Sequence, residues 1–247
     1  MRRVIDATDI HRLRMGYGVI REAKAPEFAG QRLQLCAYLI RHPMGVLLWD
    51  TGIGEHAEVE RVYTPVRWPL EAQLAAHGLR LADVAVVGNC HLHFDHAGGN
   101  NRFPGVPILA QRVEHASAAL VEDYTIPGIA DFPGAAYQLL EGEAPIWDGV
   151  TILPTPGHTD GHQSLVVETR QGRVLLAGQS FTYASEYARA LLSQELRIGG
   201  YPPDADEDAF ADYPAWMDDL QALDPWRVLF AHDVASWERG PGIPPAG

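Results

Sequence analysis

Within one run of six residues, His91-Leu92-His93-Phe94-Asp95-His96, the chain carries three imidazoles and a carboxylate, and Ala97-Gly98-Gly99 follow directly. These are the side chains that hold zinc and other divalent first-row metals. The segment before them, residues 82–88, is an apolar run that reads as a buried strand. In an extended chain, side chains at i and i+2 point to the same side, so His91 and His93 can hold one ion together. Asp95 and His96 fall where the strand must break into a loop and can turn towards a second position. Gly98 and Gly99 remove side chains where the backbone must pass close to the site.

Such a run needs a frame. Residues 33–40 and 46–50 read as strands joined by the turn His42-Pro43-Met44-Gly45, a hairpin that ends at Asp50-Thr51-Gly52. Residues 53–68 read as a loop with the bulky Val62, Tyr63 and Trp68, a candidate pocket wall. Residues 69–78 read as a short helix with Leu70 and Leu74 at helical spacing, and His77 in its last turn suits the helix C-terminus better than a metal. A strand over 106–110 leads to a helix over 111–123, with Val113, Ala116 and Leu120 as its apolar face and His115 without ligand context. Residues 124–147 read as a surface loop in which Phe132 and Tyr137 pack or line a pocket. Strands follow over 150–154, ending near His158, and over 164–168 and 173–177, the last leading into Gly178-Gln179-Ser180. A helix over 207–223, kinked at Pro214, carries Phe210, Trp216, Met217 and Leu220 as apolar anchors. The last strand, 226–231, delivers His232-Asp233. Residues 1–31 are polar and broken by glycines, and form either an arm or wall of the pocket or a surface loop. Periodicity alone gives a mixed α and β chain.

The 247 residues fit one large domain or two small ones, and with no repeat or dividing linker the expectation is a single domain over 1–247. A net charge of −13 argues against nucleic acid as a partner. No stretch has the length of a signal peptide core or a membrane span, so no membrane partner is expected. Two cysteines make no disulfide framework, which points to the cytoplasm. Cys36 reads as a core residue, and Cys90 as buried packing that faces away from the metal.

The run His91-x-His93-x-Asp95-His96 resembles the signature of the metallo-β-lactamase superfamily, and the longer string from His91 to Asn100 resembles its N-acyl homoserine lactonase branch. The likeness continues through Asp50-Thr51-Gly52, Pro156-Gly157-His158-Thr159-Asp160-Gly161-His162, Leu175 to Gln179, and His232. It implies an α/β fold, the four-layer αβ/βα sandwich of two mixed sheets with helices outside. It also implies that His91, His93 and His158 hold a first metal, that Asp95, His96 and His232 hold a second, and that Asp50 steadies a ligating imidazole from behind. His162 is expected to be structural rather than a ligand.

Two positions depart from that pattern. Where the family has an aspartate bridging both metals, this chain has Gln179, a neutral amide, so the second ion is expected to bind weakly. Asp160 could compensate only if its loop folds inward. Where the lactonase branch has a tyrosine three residues later, this chain has Thr182, with Tyr183 next, and either could take that place at the substrate carbonyl.

The resemblance implies metal-dependent opening of a lactone ring, most naturally that of an N-acyl homoserine lactone, a small-molecule substrate. The cofactor would be one or two zinc ions, with Mn, Co or Fe as alternatives. Asp95 would orient the nucleophile and carry a proton to the leaving alkoxide. Phe94 and the loops over 16–28 and 54–68 would contact the acyl chain. The rival readings are another ester or thioester hydrolase on the same scaffold and a metal-binding relative without efficient catalysis. A homodimer is left open.

Overall fold

The computed structural model describes residues 4–20, 29–122, 124–198 and 216–239. Its strands form two sheets. The first contains β1 (Ile10–Val19), β2 (Arg32–His42), β3 (Gly45–Trp49), β4 (Val66–Arg67), β5 (Val84–Gly88), β6 (Pro107–Gln111) and β7 (Ala136–Leu140), in the order β4-β1-β2-β3-β5-β6-β7. The second contains β8 (Ala144–Trp147), β9 (Val150–Pro154), β10 (Gln163–Thr169), β11 (Gly172–Leu176), β12 (Arg227–Leu229) and β13 (Ser236–Glu238), in the order β13-β12-β11-β10-β9-β8. Both sheets are mixed: β3, β5, β6 and β7 run parallel in the first, and β11 and β12 in the second. The helices are α1 (Ala57–Tyr63), α2 (Leu70–Ala76), α3 (Arg112–Leu120), α4 (Ala184–Ile198) and α5 (Trp216–Ala222).

Strand alternation builds the layers. In β2, Cys36, Tyr38 and Ile40 face the second sheet and meet Val150, Leu165, Val167 and Leu176 in one core. Leu35, Ala37 and Leu39 face the other way, onto Val59 of α1 and Leu70 and Leu74 of α2. In the second sheet, Val166, Leu175 and Val228 face outward onto Tyr187 of α4 and Met217 and Leu220 of α5. Helices therefore cover both outer faces, which is the four-layer sandwich. The hairpin of β2 and β3 pairs in register from Tyr38–Trp49 to His42–Gly45, as the turn residues require.

Several elements differ from the sequence expectation. Residues 10–19 are not loop but β1, whose Leu13 and Met15 alternate inward between outward arginines. The 53–68 stretch contains α1 and β4, and the 124–147 stretch contains β7 and β8. β7 and β8 have no fully buried residue, so their alternation is weak in sequence. The helix α4 was not expected, although Ala184, Tyr187, Ala190 and Leu191 stand at helical spacing and pack on the second sheet. The 226–231 strand is not the last, because β13 pairs antiparallel with it. Of the helix expected over 207–223, Phe210 and Pro214 lie outside the described residues, while Met217 and Leu220 are core, as their spacing suggested.

The helix α3 is turned the opposite way from its expected apolar face. Val113 is 47% and Leu120 84% exposed, and the side chain it buries is that of Glu114. Three hydrogen bonds hold the Glu114 carboxylate in the buried position, at about 1.5–3 kcal/mol each, which is of the same order as the aliphatic burial given up at Val113 and Leu120.

Candidate metal centre

Each strand that leads into the site releases its chain at the same edge. β3 leads to Asp50, β5 to the 91–96 run, β9 to His158, β11 to Gln179 and β12 to His232. The 91–96 run is held against Asp50-Thr51-Gly52. The backbone N–H and the hydroxyl of Thr51 both donate to the His96 carbonyl, at 2.7 and 3.0 Å. Gly98 lies so close to Gly54 that a Cβ would collide with the Gly54 backbone. The close backbone approach expected of this glycine is present.

The side chains converge as two triads. The ligand atoms of His91, His93 and His158 lie within 4.8 Å of one another, as do those of Asp95, His96 and His232. His93 Nδ1 is 3.3 Å from His158 Nε2, and His96 Nε2 is 3.2 Å from His232 Nε2. With zinc–nitrogen bonds of about 2.0–2.1 Å, ligands around one tetrahedral ion stand about 3.3 Å apart. The two imidazole contacts already have that spacing. Gln179 Oε1 lies 3.0 Å from His96 Nε2, beside the second triad.

A shell behind the triads fixes which ring nitrogen faces inward. His96 Nδ1 lies 3.2 Å from Asp50 Oδ2, and Asp50 Oδ1 accepts the backbone N–H of Cys90 at 2.8 Å. Asp50 occupies a left-handed backbone conformation (φ 63°), which aspartate tolerates better than most residues. His232 Nδ1 donates to the Gln34 carbonyl at 2.7 Å, leaving Nε2 for the site. Cys90 is buried, as expected, but it is more than packing: its Sγ lies 3.2 Å from Asp50 Oδ2, from His91 Nδ1 and from His96 Nδ1, at the base of both triads. The expectation that it faces away from the site is corrected, because the chain leaves the strand at Gly88 and alternation no longer applies.

Electrostatics match the donor set. Burial, reinforced by the neighbouring imidazoles, pushes His91 well below the usual imidazole range. Partial burial and then His93 lower His158 to about 4, and burial and then His96 lower His232 to about 4. These rings are neutral at neutral pH and offer lone pairs. Burial opposes the charged form of Asp95, but His96, His232 and His93 outweigh it and lower its pKa. For His96 burial is likewise outweighed, by Cys90, Asp95 and Asp50, and its pKa rises well above the ordinary value. A cation at the second triad would displace that proton.

One atom tests the fit of a metal directly. His91 is fully buried, and its Nε2 has no hydrogen-bond partner. An unpaired buried polar atom costs about 1–3 kcal/mol, and a neutral ring facing two further imidazoles finds compensation in a shared cation. The residues present fit a divalent ion.

The sequence model of the family described as "Metallo-beta-lactamase superfamily" matches residues 32–232. The chain belongs to the metallo-β-lactamase superfamily. Among members of that superfamily, it is 34% identical over 216 residues to the N-acyl homoserine lactonase AiiA of Bacillus thuringiensis subsp. kurstaki, covering 82% of each chain. It is 32% identical over 222 residues to an N-acyl homoserine lactonase of Bacillus sp, covering 84% of each. Among solved structures it is similar to an N-acyl homoserine lactone hydrolase with the product N-hexanoyl-L-homoserine bound at the catalytic metal center. That match has a TM-score of 0.67 and 25% identity over 94% of each chain.

Within this superfamily member the remaining expected residues fall as follows. Phe94 is half-buried, with its ring 5.0 Å from that of Tyr63 in α1, and Tyr63 is raised by burial and then by Asp95. Both ring nitrogens of His162 have hydrogen-bond partners: Nδ1 lies 3.0 Å from the Thr155 carbonyl and Nε2 accepts the Gln179 backbone N–H at 3.0 Å. Asp160 is exposed and does not fold inward to compensate for Gln179. Thr182 and Tyr183 precede α4, and their backbone N–H groups donate to Glu186. Tyr183 is 36% exposed, and among the described residues no hydrogen bond or ring contact joins either side chain to the histidines. Sequence reasoning missed Glu114, Tyr124 and Thr159, which support the first triad; nothing local marks a helical glutamate as buried.

A cavity of about 610 Å³ is lined by Met15, Thr51, Ile53, Arg67, Trp68 and Gly98 among others, and by none of the six side chains of the two triads. Arg67 is paired there with Glu60, and Arg102 with Glu71. Neither arginine is free to receive an anion.

The lowered histidines set an acid limit on stability. In the unfolded chain each takes a proton near pH 6.5, whereas in the fold His158 and His232 resist to about 4 and His162, by burial first, to about 3. Below about pH 6.5 the unfolded state therefore binds more protons, and stability falls as pH falls. His96, with its raised pKa, acts in the opposite sense: its contribution is complete below about pH 6.5 and is lost as pH rises through its folded value. Among the described residues six rings are lowered, those of His11, His91, His93, His158, His162 and His232, and only His96 is raised, which gives a net loss on acidification. The melting temperature of chelator-treated protein should fall steadily from pH 7 to pH 4, and a flat profile would contradict the buried neutral rings.

Proposed function

We propose that this protein hydrolyses the lactone ring of N-acyl homoserine lactones with divalent cations, most naturally zinc, held by the two triads. The observation that carries the reading is the unpartnered Nε2 of buried His91, whose ring centroid lies 4.5 Å from that of His93 and 4.6 Å from that of His158. His91, His93 and His158 bind the first ion. Asp95, His96 and His232 bind the second, with the amide oxygen of Gln179 beside them. When bound, such an ion supplies Lewis acidity and brings the pKa of a water towards neutrality.

The chain's own residues do the rest. Asp50 and the Gln34 carbonyl hold His96 and His232 with Nε2 inward, so neither ring must reorganise on binding. Asp95 is a carboxylate at neutral pH, with Oδ2 3.7 Å from both His96 Nε2 and His232 Nε2. Oδ2 accepts the proton of the attacking water and returns it to the ring oxygen as the ester C–O bond breaks. Water and lactone are consumed, and one hydroxy acid results. Phe94 and Tyr63 present a paired aromatic surface beside Asp95 that suits an acyl chain. The free thiols of Cys36 and Cys90 support a cytoplasmic setting.

The test is a panel of N-acyl homoserine lactones followed by proton release, with thioester and aryl ester controls and metal content measured on the same sample. Lactones are expected to turn over fastest, in proportion to bound metal. Faster turnover of a thioester or aryl ester would overturn the substrate class.

A further inference from the structure

Glu114, in the first turn of α3, is 1% exposed and has no part in the steps above. Its Oε1 accepts the backbone N–H of Leu92 at 2.7 Å and the hydroxyl of Tyr124 at 2.5 Å, and its Oε2 accepts the hydroxyl of Thr159 at 2.7 Å. Every donor adjoins a member of the first triad. Leu92 lies between His91 and His93, Thr159 follows His158, and the Tyr124 ring is 5.0 Å from the ring of His93. The loop is seated by a close approach: a Cβ on Gly161 would collide with the Cβ and backbone of Glu114.

The second triad has other supports, namely Asp50 behind His96 and Gln34 behind His232. We propose that Glu114 is the positioning residue of the first cation: one carboxylate ties the 91–93 segment, the 158 loop and Tyr124 together and so sets the spacing of His93 and His158. This rests on the metal-centre reading. The chemistry asks for an acceptor with two oxygens. Three donors from three separate segments converge on it, and a carboxylate accepts all of them without a competing hydrogen.

The test titrates cobalt(II) into metal-free protein and follows its visible absorption. Glu114→Ala is expected to weaken the first equivalent about 10–100-fold, while Glu114→Gln stays within about threefold, because its amide oxygen serves Leu92 and Tyr124 and its amide nitrogen donates to Thr159. In a His93→Ala background, which isolates the second triad, Glu114→Ala is expected to leave cobalt affinity unchanged. Equal weakening at both triads, or none at either, overturns the proposal. If Glu114→Ala does not fold, Tyr124→Phe and Thr159→Ala each remove one donor and are read the same way, with first-equivalent weakening expected and unchanged affinity overturning the proposal. A wild-type protein that binds no cobalt at all would instead overturn the metal-centre reading, and this proposal with it.

Discussion

Replacing His93 by alanine is expected to lower kcat/KM for lactone opening by at least about a thousandfold, since the cation chemistry supplies several kcal/mol to the transition state. His93 is the informative choice among the first three histidines. His91 is fully buried beneath the site, and its truncation would leave a cavity as well as remove a ligand. His93 is half-buried, and among the described residues its ring touches only His91, His158 and Tyr124 as aromatic neighbours. The fold should therefore survive, which an unchanged melting temperature of metal-free protein would verify. The variant should lose the tightly held cation and the activity together. Full hydrolysis by His93→Ala would remove the metal mechanism altogether.

Gln179→Asp should act in the opposite direction and raise both retention of the second ion and the hydrolytic rate. Two divalent ions about 3.7 Å apart repel by roughly 18 kcal/mol at an effective dielectric of about 20, and anionic ligands must offset it. In this chain Asp95 is the only carboxylate within the two triads, and Gln179 Oε1, 3.0 Å from His96 Nε2, offers a dipole where a charge would help. Wild-type protein is expected to keep fewer than two equivalents through dialysis against a chelator, and the variant to keep more. Two equivalents surviving in the wild type would contradict the charge argument. An unchanged variant would mean that position 179 does not face the ions.

How far the sequence reached can be seen at particular residues. His91, His93, Asp95 and His96 were visible because their spacing is local, and the structure gathers them with His158 and His232 from segments far along the chain. Asp50 was expected behind a ligating imidazole and stands 3.2 Å from His96 Nδ1. The hairpin of β2 and β3 was legible from its turn residues and alternation. The strand β1 was hidden by its arginines, and the strands β7 and β8 by half-exposure that leaves no clear alternation.

By itself, the sequence determined the donor types, their local spacing, the missing carboxylate at position 179 and the two-sheet plan, since each is written in short-range periodicity or in the resemblance those motifs carry. Only the tertiary structure decided that Cys90 lies under both triads, that α3 turns Glu114 inward and leaves Leu120 exposed, and that Thr182 and Tyr183 make no contact with the histidines. The physical reason is range. Glu114 finds its partners 22, 10 and 45 residues away. A buried carboxylate is stable only where such donors meet, and that meeting is fixed by the packing of whole layers rather than by the residues beside it in the chain.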